Sequence, residues 1–168
     1  MCIQIGKNFS SIGIAPASIY IDHLKKVIAD KSIKIGAQNI DLVETGPRTG
    51  EISASMIKDL GCEFSIIGHS ERRILFHETN QIICHKLIQA NNNFVVPILC
   101  VGESMQEKQD NTTFKVIEQQ IIGALKDASE LSAIIIAYEP VWAIGSGKIP
   151  NPKEINSMHE MIKDVVQS

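Results

Sequence analysis

The sequence predicts an α/β fold in which short parallel strands alternate with amphipathic helices. Five apolar runs rich in Ile and Val recur at intervals of roughly 20 to 40 residues, and each is bounded by Gly, Pro or polar residues. Each run is followed by a polar or Gly-bearing loop and then by an amphipathic stretch. A repeating strand–helix order is typical of a parallel sheet with helices packed against it. The five predicted strands cover residues 12–15, 33–37, 64–68, 95–101 and 134–138.

The predicted helices follow from apolar stripes and end signals. Ile52, Met56 and Ile57 lie on one stripe before Gly61, a residue that commonly ends helices. The last helix has a complete start signal, because Asn151 can cap it and Pro152 suits its first position. Further stripes predict helices over residues 19–29 and 116–125.

Composition favours one ordinary globular domain spanning residues 1–168. Hydrophobic residues make up 44% of the chain and charged residues 21%, with a net charge of −3. No cluster of Lys or Arg indicates a nucleic acid or an acidic membrane as partner. No apolar stretch is long enough to cross a membrane, and the N-terminus has no signal-peptide pattern. We therefore expect neither a nucleic acid nor a membrane as partner.

The four cysteines predict a reducing compartment rather than a metal site. None forms a C-x-x-C pair, and none has a histidine at zinc-ligand spacing. Cys62 and Cys100 lie in or beside apolar runs, where a free cysteine usually serves as a small core residue. We expect a cytoplasmic protein.

Polar residues follow three of the predicted strands and mark a candidate active site. His69 follows the third strand, Glu103 the fourth and Glu139 the fifth. The carboxyl ends of parallel strands meet at one rim of a sheet, so these side chains are expected together. His69 could instead cap a helix, and Glu139 could instead form a structural ion pair. A carboxylate after a buried apolar run nevertheless suits a general base, because burial raises its pKa.

An unusually apolar loop follows Glu139. Residues 140–150 contain the only Trp of the chain and two central glycines, with a proline at each end. Solvated loops are usually polar, so this one either closes over a reacting centre or packs permanently on a neighbouring helix. The Gly-Ser-Gly-Lys run at 145–148 lacks the first Gly and the final Ser or Thr of a phosphate-binding P-loop. His159 has Lys163 where a zinc-protease helix needs its second histidine, so neither a metal nor a cofactor is expected. The helix histidines His23, His77, His85 and His159 are expected on the surface.

Five motifs together resemble those of the triosephosphate isomerase family. The most specific are Ile-Gly-His-Ser-Glu-Arg-Arg at 67–73 and Ala-Tyr-Glu-Pro-Val-Trp-Ala-Ile-Gly-Ser-Gly-Lys at 137–148. Others are residues 36–39, 49–53 and 97–103, and all five stand in the family's order. The resemblance covers residues from about 12 to 165. It implies a (β/α)₈ barrel that interconverts dihydroxyacetone phosphate and glyceraldehyde 3-phosphate without a cofactor.

The resemblance assigns roles to individual residues. The family is itself the known example of a carboxylate base paired with a neutral histidine and a closing loop. It implies that Glu139 moves the proton and that His69 polarises the carbonyl and stabilises the enediolate. Gly145 would offer its backbone N–H to the substrate phosphate, and Ser70 and Glu71 would support the site.

A homodimer is also implied by the resemblance. Thr49, in the loop after the second strand, would reach the active site of the partner subunit. Pro47 and Arg48 stand in this dimer loop where the family has small and aromatic residues, and His77 stands where it often has Gly.

The matched part corresponds to the second through sixth β/α units, so we expect an incomplete barrel of five parallel strands. A full barrel needs about 250 residues. Residues 1–11 form a poorly matched stub, in which Lys7 and Asn8 stand in the wrong order for the family's first-strand motif. The family's phosphate-binding loops after the seventh and eighth strands have no counterpart in the 168 residues.

Removing adjacent strands from a barrel has physical consequences. Two unpaired parallel edges and inward-facing Ile and Val side chains in contact with water are expected, together with low stability and weak activity. Two other functions remain open. The chain could be an inactive remnant or half of a split enzyme that needs a complementing chain, or it could be a non-enzymatic half-barrel that binds a partner.

Overall fold

Six strands form one sheet in the order β1-β6-β5-β4-β3-β2 in the computed structural model, which describes residues 2–4, 12–30, 32–128 and 130–167. The strands are β1 (Cys2–Gln4), β2 (Gly13–Ile14), β3 (Lys34–Ala37), β4 (Phe64–Ile67), β5 (Val96–Val101) and β6 (Ile135–Tyr138). Strands β2 to β6 are parallel and adjacent in chain order. The predicted five-stranded parallel sheet of an incomplete barrel is therefore confirmed.

Seven helices connect or follow these strands in the described residues. They are α1 (Ile21–Val27), α2 (Ala54–Asp59), α3 (Ser70–Leu75), α4 (Asn80–Asn92), α5 (Met105–Gln109), α6 (Thr113–Leu125) and α7 (Pro152–Gln167). Two short 3₁₀ turns lie at Ser18–Tyr20 and Val141–Ala143. No helix among the described residues has both the length and the apolar character needed to cross a membrane.

The predicted helix ends have the expected local chemistry. Gly61 has a φ of +78°, which glycine adopts without steric cost. Its N–H donates to Lys58 O, and the next N–H, of Cys62, donates to Ile57 O, a pairing that closes α2. At the start of α7, the Asn151 side chain accepts from the Lys153 N–H at 2.9 Å.

One of the two sheet edges differs from the prediction. Strand β6 was expected to have an unpaired edge, but β1 pairs with it antiparallel, with Cys2 opposite Ala137 and Gln4 opposite Ile135. The expectation was wrong because residues 2–4 supply backbone partners from the N-terminal segment that the family motifs do not match. Strand β2 is the terminal strand at the other edge of the described sheet. The stub's Lys7 and Asn8 lie outside the described residues.

The main core lies between the sheet and its helices. Alternate strand residues such as Ile35, Ile67, Leu99 and Ile136 are at most 2% exposed and pack with helix residues. These helix residues are Ile21, Ile57, Ile83, Leu87, Ile117, Ile121 and Ile162. The helix residues of this core thus pack on one face of the sheet, as in a (β/α) barrel.

The opposite face of the sheet, called here the inner face, is apolar but only partly covered. Ile66, Ile98 and Ile135 are neighbours across three strands, and each is half-buried. Phe64 lies over Gly36, where an added Cβ would come within 2.5 Å of its ring. One aromatic ring therefore occupies the space that a larger residue at position 36 would need.

Candidate active site

His69 and Glu139 meet at the carboxyl ends of β4 and β6. The Nε2 atom of His69 lies 3.0 Å from Oε2 of Glu139. The other carboxylate oxygen, Oε1, accepts the Ser70 backbone N–H at 2.7 Å. The two side chains are 33% and 17% exposed, so the pair is open to a small molecule and is also partly shielded from water.

The hydrogen bonds of His69 define its tautomer. His69 is the N-cap residue of α3, and its Nδ1 accepts the Glu71 backbone N–H at 3.3 Å. An accepting Nδ1 carries no proton, so the proton of the neutral ring lies on Nε2 and points to Glu139. The helix-capping role and the catalytic candidate role, considered above as alternatives, are thus compatible in one side chain.

The environment of Glu139 suits a proton acceptor. Burial raises the pKa of its carboxyl, whereas the Ser70 N–H, His69 and Arg73 act in the opposite direction. Burial dominates, so the carboxyl holds a proton more strongly than a solvated glutamate does. A base of higher pKa is better matched to removing a proton from carbon near neutral pH.

Backbone contacts between β5 and β6 hold Glu139 in place. Its N–H donates to Val101 O at 2.9 Å. Arg73 connects β4 with β5, because its Nε donates to Gly68 O at 2.8 Å and its guanidinium also reaches Cys100 O at 3.2 Å. Arg73 therefore ties the end of β4, which precedes His69, to β5, and the sheet ties β5 to the end of β6, which precedes Glu139.

Glu103, the second carboxylate expected at the rim, is buried beneath the apolar loop. It is 1% exposed and accepts the Tyr138 hydroxyl at 3.0 Å and the Trp142 indole N–H at 2.7 Å. Burial and the Glu103 carboxylate together raise the pKa of Tyr138. Lys108 covers the Trp142 ring at 4.1 Å from its centroid. In this structure the start of the loop thus packs on Glu103 and Lys108.

A cavity of about 520 Å³ adjoins His69 on the side away from β6. Its lining includes Asn39, Gly50, Glu51 and Glu71. The Glu71 carboxylate is 72% exposed and lies 3.7 Å from Nδ1 of His69. Thr49, next to Gly50, lies exposed in the loop between β3 and α2.

The predicted dimer loop is tied back to its own chain. Arg48 donates to the Asp41 carboxylate through both Nε and a terminal nitrogen, and the Asp41 side chain is 5% exposed. This ion pair lowers the pKa of Asp41, although burial alone would raise it. Arg48 therefore has an intrachain partner at a position where the family has an aromatic residue.

Gly145 lies in the exposed part of the apolar loop at 140–150, beyond the residues that pack on Glu103 and Lys108. It has a φ of +66°, and a Cβ added to it would meet nothing within 4 Å. The positive φ suits glycine, and the space beside its Cα is open.

Three residues have contacts or positions that were not anticipated from the sequence. Gln120 bonds to the backbone of Gly102, and Arg73 holds two strand ends. His159 was expected on the surface but is 8% exposed, because it lies on the side of α7 that packs against the core. A carboxylate or imidazole at a strand end is visible in sequence, whereas a helix residue that contacts a distant backbone has no local signal.

Comparisons with known proteins identify the family. The family model for triosephosphate isomerase matches residues 3–168. The triosephosphate isomerase of Chlamydia muridarum is 41% identical over 155 residues, which cover 92% of this chain and 57% of that protein. That of Nitrosococcus oceani is 39% identical over 94% of this chain and 64% of the relative. The chain thus spans about three-fifths of the length of these relatives, and it belongs to the triosephosphate isomerase family.

Proposed function

We propose that the chain carries the acid/base centre for interconverting dihydroxyacetone phosphate and glyceraldehyde 3-phosphate. The observation that carries the proposal is the hydrogen-bonded pair of His69 and Glu139, 3.0 Å apart at the rim of the sheet. Membership of the family adds the substrate class, a phosphorylated triose. We also propose that residues 1–168 act as one domain.

Each side chain has one step in the proposed reaction. The Glu139 carboxylate removes a proton from the carbon beside the substrate carbonyl, and the electron pair moves onto the carbonyl oxygen. The Nε2–H of His69 donates to that oxygen and stabilises the enediolate. Glu139 then returns the proton to the former carbonyl carbon. His69 gives its Nε2 proton to the former carbonyl oxygen and takes the hydroxyl proton from the neighbouring oxygen, which becomes the new carbonyl. Because Nε2–H points to Glu139 in this structure, the substrate must separate the pair when it binds.

Further residues support this chemistry in the proposal. The Ser70 N–H holds the Glu139 carboxylate before substrate arrives, and Glu71 orients the His69 ring through its backbone N–H. The Gly145 N–H binds the substrate phosphate, and Thr49 reaches the site of a second copy in a homodimer. The buried Cys62 and Cys84 are free cysteines in the described part of the chain, which suits the proposed reducing, cytoplasmic location.

A second candidate function rests on the inner face. The half-buried row of Ile66, Ile98 and Ile135 is apolar enough to accept further polypeptide of a barrel or another binding partner. In that case the 168-residue chain is a partner-binding half-barrel or one part of a two-part enzyme, and its own turnover is negligible.

A coupled isomerase assay distinguishes these proposals. For the purified 168-residue chain we expect slow turnover, because losing one preorganised electrostatic donor typically costs on the order of 10²–10³ in rate. The matched variants are Glu139→Gln and the exposed control Glu118→Gln. Turnover that is lost only in Glu139→Gln supports the acid/base proposal. Equal rates in all three proteins, even at high substrate concentration, contradict it and favour the partner-binding candidate.

A further inference from the structure

The side-chain amide of Gln120 makes a matched pair of hydrogen bonds with Gly102. Its Oε1 accepts the Gly102 N–H at 2.9 Å, and its Nε2 donates to the Gly102 carbonyl at 2.9 Å. Gln120 lies on α6, and Gly102 is the residue that follows β5. An amide side chain carries an uncharged donor and an uncharged acceptor side by side, as this pairing requires. The half-buried Gln120 therefore satisfies both backbone groups at a point where the strand ladder ends.

Gly102 in turn lies against the backbone of Glu139. A Cβ at position 102 would be 1.8 Å from the Glu139 carbonyl oxygen and 3.3 Å from its Cγ. No side chain fits in that space, so Gly102 and Glu139 are in direct contact. A displacement of Gly102 therefore changes the place of Glu139 as well.

We propose that Gln120 is a positioning residue that holds Glu139 opposite His69 and Ser70 by fixing Gly102. This inference rests on the proposed function, in which Glu139 is the base. In this proposal Gln120 acts from α6 through Gly102 rather than by contact with the reacting atoms. The exact position of the Glu139 carboxylate matters, because a misplacement of about 1 Å can cost on the order of 10²-fold in rate.

The Ser70 amide provides a readout that does not depend on turnover. It donates to Glu139 at 2.7 Å, so its amide proton chemical shift changes when the Glu139 carboxyl ionises. The titratable or charged groups that face Glu139 are His69 and Arg73. The amide shift of Ser70 is followed by NMR from pH 4 to 9 in the 168-residue chain, in Gln120→Met and in the control Gln119→Met. Gln119 is the exposed neighbour on the same helix.

We expect the pH-dependent shift of Ser70 to be largely lost in Gln120→Met and retained in Gln119→Met. Gln120→Glu keeps the size of the side chain and can accept from the Gly102 N–H, but it places a second oxygen against the Gly102 carbonyl. It should lose the shift too, and it serves as the test if Gln120→Met does not fold. A folded Gln120 variant with the full Ser70 shift overturns the proposal, whatever its melting temperature.

Failure of the proposed function would look different. If Glu139 is not the base, its substitution leaves any turnover unchanged, although the Ser70 titration still depends on Gln120. If Gln120 has no positioning role, the Ser70 titration survives while Glu139→Gln still removes activity.

Discussion

Trp142 donates its indole N–H to Glu103 at 2.7 Å, and this bond joins the apolar loop to a carboxylate that is 1% exposed. Tyr138, the residue before the candidate base, donates to the same carboxylate. Glu103 thus connects the last residue of β6 with the start of the loop. Its role at the rim is to hold neighbouring groups rather than to meet substrate.

Replacing Glu103 should destabilise the protein strongly. Glu103→Ala leaves the Tyr138 hydroxyl and the Trp142 N–H without their acceptor, and each unsatisfied buried group costs about 1–3 kcal/mol. We expect the free energy of unfolding in urea to fall by about 2–4 kcal/mol. The exposed control, Glu118→Ala, should change it by less than about 0.5 kcal/mol. Similar values for the two variants would show that the Glu103 bonds contribute little.

The Lys108 contact can be followed by fluorescence, because Trp142 is the only Trp in the sequence. The Lys108 ammonium covers its ring and also pairs with Glu154 at 2.8 Å. Lys108→Met removes a cation–π contact of about 0.5–1 kcal/mol, so acrylamide should quench Trp142 more readily. Lys115→Met, on the exposed surface of α6, is the matched control. Unchanged quenching in Lys108→Met would mean that this contact does not shield the ring.

The raised pKa of Glu139 predicts a specific pH dependence of stability. Its usual value is 4.5, and burial raises it in the folded protein. At a pH between the usual pKa and the raised pKa of the folded state, the folded protein binds more protons than the unfolded protein. Stability is therefore lost as the pH rises through the folded pKa. Glu139→Gln should abolish this loss, whereas Glu118→Gln should retain it. Melting temperatures measured from pH 4 to 8 test the difference between the two variants.

His159 predicts the opposite dependence. Burial lowers its pKa from 6.5, and its Nε2 has no hydrogen-bond partner in the described part of the chain. The unfolded state therefore binds a proton first as the pH falls below 6.5, and stability is lost toward acid pH.

The variant His159→Leu should remove that loss. It should also stabilise the protein by about 1–3 kcal/mol at pH 8, where the orphaned nitrogen is still costly. His85→Leu replaces an exposed histidine on α4 and serves as the control. Melting temperatures measured from pH 4 to 8 test this prediction. A His159→Leu protein that melts at a lower temperature than the parent throughout would contradict it.

The sequence allowed the parallel strands and the meeting of His69 and Glu139 at one rim to be predicted, because these have local signals. A β-branched run identifies a strand, and the polar residue that follows it lies at the rim, as His69 and Glu139 do. The bond between Gln120 and Gly102 could not be predicted in this way, since it depends on how α6 packs on the sheet. The antiparallel pairing of β1 was missed for a related reason: three residues carry too little pattern to indicate a partner strand.

The inner face affects how stability varies with temperature. Ile66, Ile98 and Ile135 are only partly covered in the folded protein, so unfolding transfers less new apolar area into water. The heat capacity of unfolding should therefore lie below the usual value of about 12–15 cal/mol/K per residue. A smaller heat capacity gives a flatter stability curve, and calorimetry of the chain should show an unfolding enthalpy that changes little with the transition temperature.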